Sequence, residues 1–231
     1  MTQRLIVALD TADSDQAWQW AEAAAPHAAL LKLGLEFFAA NGAAGAARFR
    51  QRPIFLDLKL HDIPNTVAGA VRALAMLAPA MLTLHACGGS AMIAAARRAA
   101  DAAPNPTKLL AVTVLTSLDQ AALNAVGVPG APHDQVLRLA ELALSAGADG
   151  LVCSAHEVAA LRRRFGTAPT LVVPGIRPAG ADHGDQARVM TAAEAVEAGA
   201  DYVVVGRPIT AAPDPRLAAQ LMAYEAAREA A

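Results

Sequence analysis

Cysteine, aromatic residues and charge are all scarce in this sequence, and each shortage excludes a class of protein. The two cysteines, Cys87 and Cys153, lie far apart and match neither a metal-binding nor a redox motif. The net charge of −2 gives no electrostatic reason to expect nucleic acid or an anionic membrane as a partner. Aromatic residues make up only 4% of a chain that is 55% hydrophobic. Such a chain is too apolar to be disordered, and its core must consist of alanine, leucine and valine.

Hydrophobic runs able to cross a membrane are missing as well. The longest segment without a formal charge, residues 73–96, is interrupted by Pro79, His85 and the turn-forming residues 88–90. These interruptions favour a helix end, a strand and a turn over a membrane helix. The apolar run at residues 5–9 is too short for a signal peptide and lacks a cleavage site. We therefore expect a cytoplasmic protein without a membrane partner.

What the chain does have is a regular alternation of short apolar runs and alanine-rich segments. The runs are rich in leucine and β-branched residues, as buried strands are, and the segments between them have helical periodicity. Two segments begin with the spacing of a capping box, Ser154 with Glu157 and Thr191 with Glu194. Strands are predicted at residues 5–9, 29–33, 54–60, 81–85, 109–115, 150–153, 170–173 and 202–205.

This alternation predicts a parallel sheet, and the number of units indicates which one. Eight βα units in 231 residues match a (β/α)₈ TIM barrel, an α/β fold, at the small end of its usual size. The alternative is an open doubly wound sheet, but that fold usually needs fewer units, and no Gly-x-Gly-x-x-Gly motif opens the chain. Because no long linker divides the sequence, we predict a single barrel domain over residues 1–231.

Polar residues follow the predicted strands at their carboxyl ends, where a TIM barrel carries its active site. Buried aspartate and lysine are rare unless they are paired, so several of them on one rim are hard to explain as solvated surface. In chain order the polar and turn residues at these ends are Asp10, Lys32, Asp57, Lys59, His85, Thr116, Ser154, Pro174, Gly175, Gly206 and Arg207.

The densest cluster is Asp57-Leu-Lys59-Leu-His-Asp62. Because residues two apart on a strand face the same side, Asp57 and Lys59 are expected to point into the mouth of the barrel, with Asp62 just beyond the strand. One interpretation is an ion pair that neutralises itself at the rim. The other is a lysine kept protonated by flanking carboxylates, ready to give a proton to a developing carbanion.

A second cluster, Pro174-Gly-Ile-Arg177 with Gly206-Arg207, predicts a phosphate site. The loops after strands seven and eight commonly hold phosphate in this fold, and arginine binds phosphate oxygens in a bidentate manner. The polar, glycine-containing segment 174–188 is the expected lid. An ordinary surface loop with solvated charges is the alternative. No metal site is expected, because the carboxylates lie beside lysines rather than converging with histidines.

Together these motifs resemble the orotidine 5′-phosphate decarboxylase family in its bacterial short form, and the resemblance covers nearly the whole chain. It implies an enzyme of UMP biosynthesis that removes CO₂ from orotidine 5′-phosphate, with no metal and no organic cofactor. The matching motifs are Val-Ala-Leu-Asp10, Lys32-Leu-Gly34, Asp57-Leu-Lys59-Leu-His-Asp62-Ile-Pro-Asn-Thr66, Val112-Thr-Val-Leu-Thr116-Ser117, Pro174-Gly-Ile-Arg177-Pro178, Gly184-Asp-Gln186 and Gly206-Arg207-Pro-Ile-Thr210.

The resemblance also implies a role for each matching residue. Lys59 is the implied proton donor to C6 of the pyrimidine, within a charge array that includes Lys32, Asp57 and Asp62. The other subunit of a homodimer is expected to supply Asp62 and Thr66. The implied substrate contacts are Asp10 and Lys32 at the ribose, Asp57 at the reacting carboxylate, Thr116 and Ser117 at the pyrimidine, and Arg177, Gln186, Gly206 and Arg207 at the phosphate.

Two other functions are compatible with parts of this pattern. Magnesium-dependent sugar-phosphate enzymes share Asp-x-Lys-x-x-Asp, but they carry a metal-binding glutamate on the second strand, where this chain has Lys32. A barrel that only senses a nucleotide would show a degraded charge array, whereas Lys32, Asp57, Lys59 and Asp62 are all present. Turnover of orotidine 5′-phosphate, measured with and without a chelator, distinguishes a decarboxylase from a magnesium-dependent sugar-phosphate enzyme and from a nucleotide sensor.

Overall fold

Eight parallel strands close into a barrel in the computed structural model, which describes residues 3–178 and 190–227. Each strand pairs with the next along the chain, and the last pairs with the first. This confirms the predicted (β/α)₈ fold and excludes the open sheet. The strands are β1 Leu5–Ala8, β2 Leu30–Gly34, β3 Ile54–Leu60, β4 Met81–His85, β5 Lys108–Val112, β6 Gly150–Val152, β7 Thr170–Val173 and β8 Tyr202–Val205.

Helices alternate with these strands and surround the barrel. The two predicted capping boxes form: Ser154 with Glu157 begins α7, and Thr191 with Glu194 begins α8. None of the helices in the described ranges is long and apolar enough to cross a membrane. The helices are α1 Ser14–Ala24, α2 Leu35–Ala47, α3 Pro64–Leu74, α4 Gly89–Asp101, α5 Gln120–Ala125, α6 Pro132–Ser145, α7 Ala155–Phe165, α8 Ala192–Glu197, α9 Arg207–Thr210 and α10 Pro215–Ala227.

The alternation of side chains along each strand divides the core into two parts. Outward-facing residues such as Leu56 pack with the helices in the larger hydrophobic cluster. Inward-facing residues, among them Ile6, Phe55 and Met81, form a separate cluster inside the barrel. Because side chains repeat every second residue, the next inward positions, such as Asp57 after Phe55, lie one layer closer to the carboxyl ends of the strands. The apolar interior therefore forms the floor beneath the polar residues.

At the amino ends of the strands the sequence Ala-Gly-Ala-Asp occurs twice and forms the same joint each time. Asp149, before β6, accepts hydrogen bonds from the backbone N–H of Leu109 (2.7 Å) and from Arg97 (2.6 Å). Asp201, before β8, accepts hydrogen bonds from the backbone N–H of Leu171 (2.7 Å) and from Arg162 (2.6 Å). Each joint ties a strand to its neighbour and to a helix of the outer layer.

The predicted strands all form, with one clear difference in length. β5 ends at Val112, whereas the apolar pattern predicts a strand to residue 115. Thr113 still donates from its backbone N–H to the carbonyl oxygen of Val152 in β6 (3.4 Å), and after it Val114 and Leu115 line the cavity described below. Val114 also belongs to the larger hydrophobic cluster, so the apolar pattern continues past β5 because of packing rather than strand pairing.

Candidate active site

A cavity of about 670 Å³ opens at the carboxyl ends of the strands. Polar residues from strand ends that are distant in sequence meet there, above the apolar floor. The predicted site residues that line it are Asp10, Lys32, Asp57, Lys59, Thr116, Ser117, Arg177, Gly206 and Arg207.

Aspartate and lysine alternate along one wall of this cavity. Nζ of Lys32 lies 2.9 Å from Oδ1 of Asp10 and 3.5 Å from Oδ2 of Asp57. Nζ of Lys59 lies 2.9 Å from each of the two carboxylate oxygens of Asp57. Lys32 is only 7% exposed, and the Asp57 side chain is 15% exposed. Charges at this depth are stable only when they are compensated, and here each has an opposite charge beside it.

Asp57 is held in its ionised form. Burial raises the pKa of Asp57, but the attraction of Lys32 and Lys59, together with hydrogen bonds from Lys59 and Thr83, outweighs burial and places the pKa below its ordinary value. At neutral pH the wall therefore carries a fixed negative charge between two lysine side chains.

The backbone around Lys59 is irregular. Lys59 has a φ of +50°, a left-handed backbone conformation that residues other than glycine rarely adopt. The pairing of β3 with β4 shifts at the same place, between Leu56 and Leu60. Bulges of this kind redirect side chains beside active sites. Lys59 thus reaches Asp57 from a locally distorted strand.

Gly34 makes the approach of Asp10 to Lys32 possible. A Cβ atom at this position would lie 2.6 Å from Oδ1 of Asp10 and 3.0 Å from Nζ of Lys32. The predicted motif around Lys32 includes Gly34 without a role for it, and the sequence predicts no role for Thr83. A polar residue at an inward position in the middle of β4, among Met81, Leu82 and Leu84, is the signal that identifies Thr83.

The residues expected at the phosphate lie after the last two strands. Arg177 follows β7, and its backbone N–H donates to the carbonyl oxygen of Met190 (3.1 Å), so the described segments on either side of residues 179–189 are joined. Gly206 and Arg207 follow β8 directly, and Arg207 begins α9. Gln186, and with it most of the predicted lid, lies outside the described residues.

Asp62 and Thr66 lie elsewhere. Both are exposed, and neither is among the described residues that line the cavity of the single chain. Oδ1 of Asp62 accepts a hydrogen bond from the backbone N–H of Ile63 (2.6 Å), in the turn that leads into α3. His85 does not line the cavity either and stacks on His61, with ring centroids 5.4 Å apart.

Known proteins resemble this chain over almost its full length. The sequence model of the orotidine 5′-phosphate decarboxylase / HUMPS family matches residues 3–222. The orotidine 5′-phosphate decarboxylase of Anaeromyxobacter dehalogenans is 58% identical, over 96% of this chain and 97% of that protein. The enzyme of the same name from Thermobifida fusca is 54% identical, over 97% and 96%.

A solved structure agrees with these sequences. The crystal structure of orotidine 5′-phosphate decarboxylase from Lactobacillus acidophilus superposes with a TM-score of 0.87 at 39% identity, covering 98% of this chain and all of that one. The family match, the relatives and the shared barrel lead to one conclusion. The chain belongs to the orotidine 5′-phosphate decarboxylase / HUMPS family.

Proposed function

We propose that this protein removes CO₂ from orotidine 5′-phosphate and releases uridine 5′-phosphate. The observation that carries the proposal is the alternating wall of Asp10, Lys32, Asp57 and Lys59 in a cavity that also holds two arginines after β7 and β8. The names and high identity of the relatives support the same substrate.

The cavity offers a separate group for each part of the nucleotide. Its volume of about 670 Å³ lies within the range of small-molecule sites. Arg177 and Arg207, with Gly206, hold the phosphate, and Gln186, which lies outside the described residues, is the further proposed phosphate ligand. Asp10 and Lys32 bind the ribose hydroxyls, and Thr116 with Ser117 binds the pyrimidine. In the proposed binding mode, C6 and its carboxylate lie beside Asp57 and Lys59.

Lys59 performs the central chemical step in this mechanism. When the bond from C6 to the carboxylate breaks, its electron pair stays on C6 in an sp² orbital, and CO₂ leaves. No adjacent carbonyl spreads that charge, so the protein must stabilise it electrostatically. The ammonium of Lys59 does so and then gives a proton to C6. The resulting neutral amine regains a proton from water, which closes the cycle.

Asp57 supports this step through its position and its charge. Both of its oxygens lie 2.9 Å from Nζ of Lys59, so the ammonium is oriented before the substrate binds. Groups that are already oriented need no rearrangement as charge develops, which is the main source of electrostatic catalysis. The ionised carboxylate also lies beside the departing carboxylate.

No metal ion is part of this proposal. The magnesium-dependent sugar-phosphate enzymes need a cation among carboxylates. In this chain the ammonium of Lys32 lies between the carboxylates of Asp10 (2.9 Å) and Asp57 (3.5 Å). A divalent cation there would be repelled by that ammonium. We therefore propose that Lys32 fills this place and that activity is independent of metal.

The proposed active form is a homodimer in which Asp62 and Thr66 of one subunit complete the site of the other. Both residues are exposed and outside the lining of their own cavity. Ile63 between them is 66% exposed, so an apolar side chain accompanies the two polar ones. A two-fold contact at this turn would bury Ile63 together with Asp62 and Thr66.

The test is turnover of orotidine 5′-phosphate, followed by its loss of absorbance. Lys59→Ala is expected to lower kcat by at least about 1,000-fold, because Lys59 acts in the transition state, while uridine 5′-phosphate still binds. Lys108→Ala is the matched control. Lys108 lies on β5 at the opposite end of the barrel, where Nζ donates to Thr170 (3.2 Å), so normal turnover is expected.

Three results would contradict the proposal. A normal kcat in Lys59→Ala would mean that Lys59 is not the proton donor. If the wild type binds uridine 5′-phosphate but releases no CO₂ from orotidine 5′-phosphate, the protein is a nucleotide sensor. Activity that EDTA abolishes and Mg²⁺ restores would favour the sugar-phosphate enzymes instead.

A further inference from the structure

Thr83, in the middle of β4, connects the two β3 residues that carry the charges of the cavity. Its side chain is fully buried. Oγ1 donates a hydrogen bond to Oδ1 of Asp57 (3.0 Å) and accepts one from the backbone N–H of Lys59 (2.8 Å). One hydroxyl therefore contacts both the carboxylate and the backbone of the lysine that pairs with it.

The register of the sheet explains why a side chain is needed here. Leu56 pairs with Leu82 and Leu60 pairs with Leu84, so β3 advances by more residues than β4 over the same stretch. Thr83 alone lies opposite residues 57–59. In a regular parallel ladder the N–H of Lys59 would donate to a backbone carbonyl of β4, whereas here it donates to the Thr83 hydroxyl.

This contact also bears on the unusual conformation of Lys59. A non-glycine residue with φ of +50° persists only where its surroundings hold it. The hydrogen bond from Lys59 N–H to Thr83 is one such restraint, and the ion pair with Asp57 is another. Thr83 acts on both, because it also orients the Asp57 carboxylate.

We propose that Thr83 is a positioning residue for the decarboxylation: it fixes the Asp57 carboxylate and the Lys59 backbone so that the ammonium meets both carboxylate oxygens. The inference rests on the proposed function. Thr83 is not among the described residues that line the cavity, so it acts through its two partners rather than on the substrate.

The experiment replaces the hydroxyl without changing the shape of the side chain. Thr83→Val leaves Lys59 N–H and one Asp57 oxygen without this partner and is expected to lower kcat by about 10- to 100-fold, since small displacements of catalytic groups have effects of this size. KM and affinity for uridine 5′-phosphate are expected to change by less than about threefold. Thr83→Ser restores most of the lost turnover, because it restores the hydroxyl. Thr83→Ala replaces the valine variant if that variant does not fold.

Thr107→Val is the matched control. Thr107 is also buried, and its hydroxyl donates to the carbonyl oxygen of Pro79 (2.9 Å), before the start of β4 and away from the cavity. Both valine variants are expected to lower the melting temperature, but only Thr83→Val lowers kcat. Equal losses of kcat in the two variants, unchanged kcat in Thr83→Val, or failure of Thr83→Ser to recover turnover would overturn the inference.

Failure of the proposed function gives a different result, because the wild type then shows no turnover. Crystal structures of Thr83→Val and Thr83→Ser test the positioning role in that case. Nζ of Lys59 should leave the Asp57 carboxylate in the valine variant and remain beside it in the serine variant. A pair that keeps its distance of 2.9 Å in Thr83→Val would refute the positioning role.

Discussion

Asp57 has the largest number of polar contacts among the charged residues of the cavity wall. Lys32 and Lys59 lie on either side of it, and Thr83 donates to one of its oxygens. Loss of the Asp57 charge leaves Lys59 without its carboxylate partner, and breaking a buried pair in this way costs more than the pair contributes. Asp57→Asn is therefore expected to lower the free energy of unfolding by about 3 kcal/mol at neutral pH.

The pH dependence of this effect follows from the lowered pKa of Asp57. A carboxylate whose pKa is lower in the folded state stabilises the protein above its unfolded-state pKa of about 3.9, and this stability is lost as pH falls through the folded-state value. The difference in unfolding free energy between wild type and Asp57→Asn should shrink below about pH 4. Urea denaturation between neutral and acidic pH measures it. A difference that stays constant over this range would contradict the prediction.

Gly34 supports a second residue-level prediction. In Gly34→Ala the new Cβ would lie 2.6 Å from Oδ1 of Asp10, so that carboxylate must move away from Lys32. Because these two residues are the proposed ribose ligands, kcat/KM is expected to fall by about tenfold or more, mainly through KM. Steady-state kinetics checks this.

Gly69→Ala is the control for that substitution. A Cβ at Gly69, in α3, meets nothing closer than Arg72, at 3.8 Å. Its kinetics should match the wild type. If both alanine variants behave alike, the close approach at Gly34 is not what the site requires.

At the scale of strands and helices, the apolar runs of the sequence predicted most of the strands that the structure contains. The β3, β4, β7 and β8 boundaries agree with the predicted ones, because the apolar runs end where the chain leaves the sheet. The shift between β3 and β4 could not be predicted, since it depends on how two strands pair and leaves no trace in either sequence. The roles of Thr83 and Gly34 were missed for the same reason: they depend on distances between strands.

The repeated Ala-Gly-Ala-Asp joint gives a prediction at this scale. Asp201→Ala removes the acceptor for the N–H of Leu171 and for Arg162, whose side chain is largely buried. The free energy of unfolding is expected to fall by about 2 kcal/mol, because the backbone N–H of Leu171 and one guanidinium nitrogen of Arg162 lose this acceptor. Asp149→Ala should give a similar loss, since its contacts are equivalent.

Activity separates this structural role from a catalytic one. The joints lie at the amino ends of the strands, where a TIM barrel is stabilised rather than catalytically active. Chemical denaturation should therefore show the loss in both variants while kcat and KM stay at wild-type values. Unchanged stability would mean that the repeated sequence has no structural effect.

For the whole molecule, one chain places Asp10, Lys32, Asp57 and Lys59 in its cavity but leaves Asp62 outside. If the active form is a homodimer with shared sites, each site takes Lys59 from one subunit and Asp62 from the other. Lys59→Ala and Asp62→Ala therefore remove residues that different subunits contribute to one site. Each variant alone is expected to be inactive. A hybrid dimer contains one site with both residues and one site with neither.

Mixing the two inactive variants tests this arrangement directly. After random exchange half of the dimers are hybrids with one intact site of two, so activity should recover to about a quarter of the wild-type value. Mass spectrometry of intact dimers confirms that exchange has occurred. The control mixes Lys59→Ala with Lys32→Ala, whose residues lie in the same cavity, so that hybrids have no intact site and stay inactive. Confirmed exchange without recovered activity would mean that Asp62 acts on its own barrel, which would require the turn at residues 61–66 to refold towards the cavity.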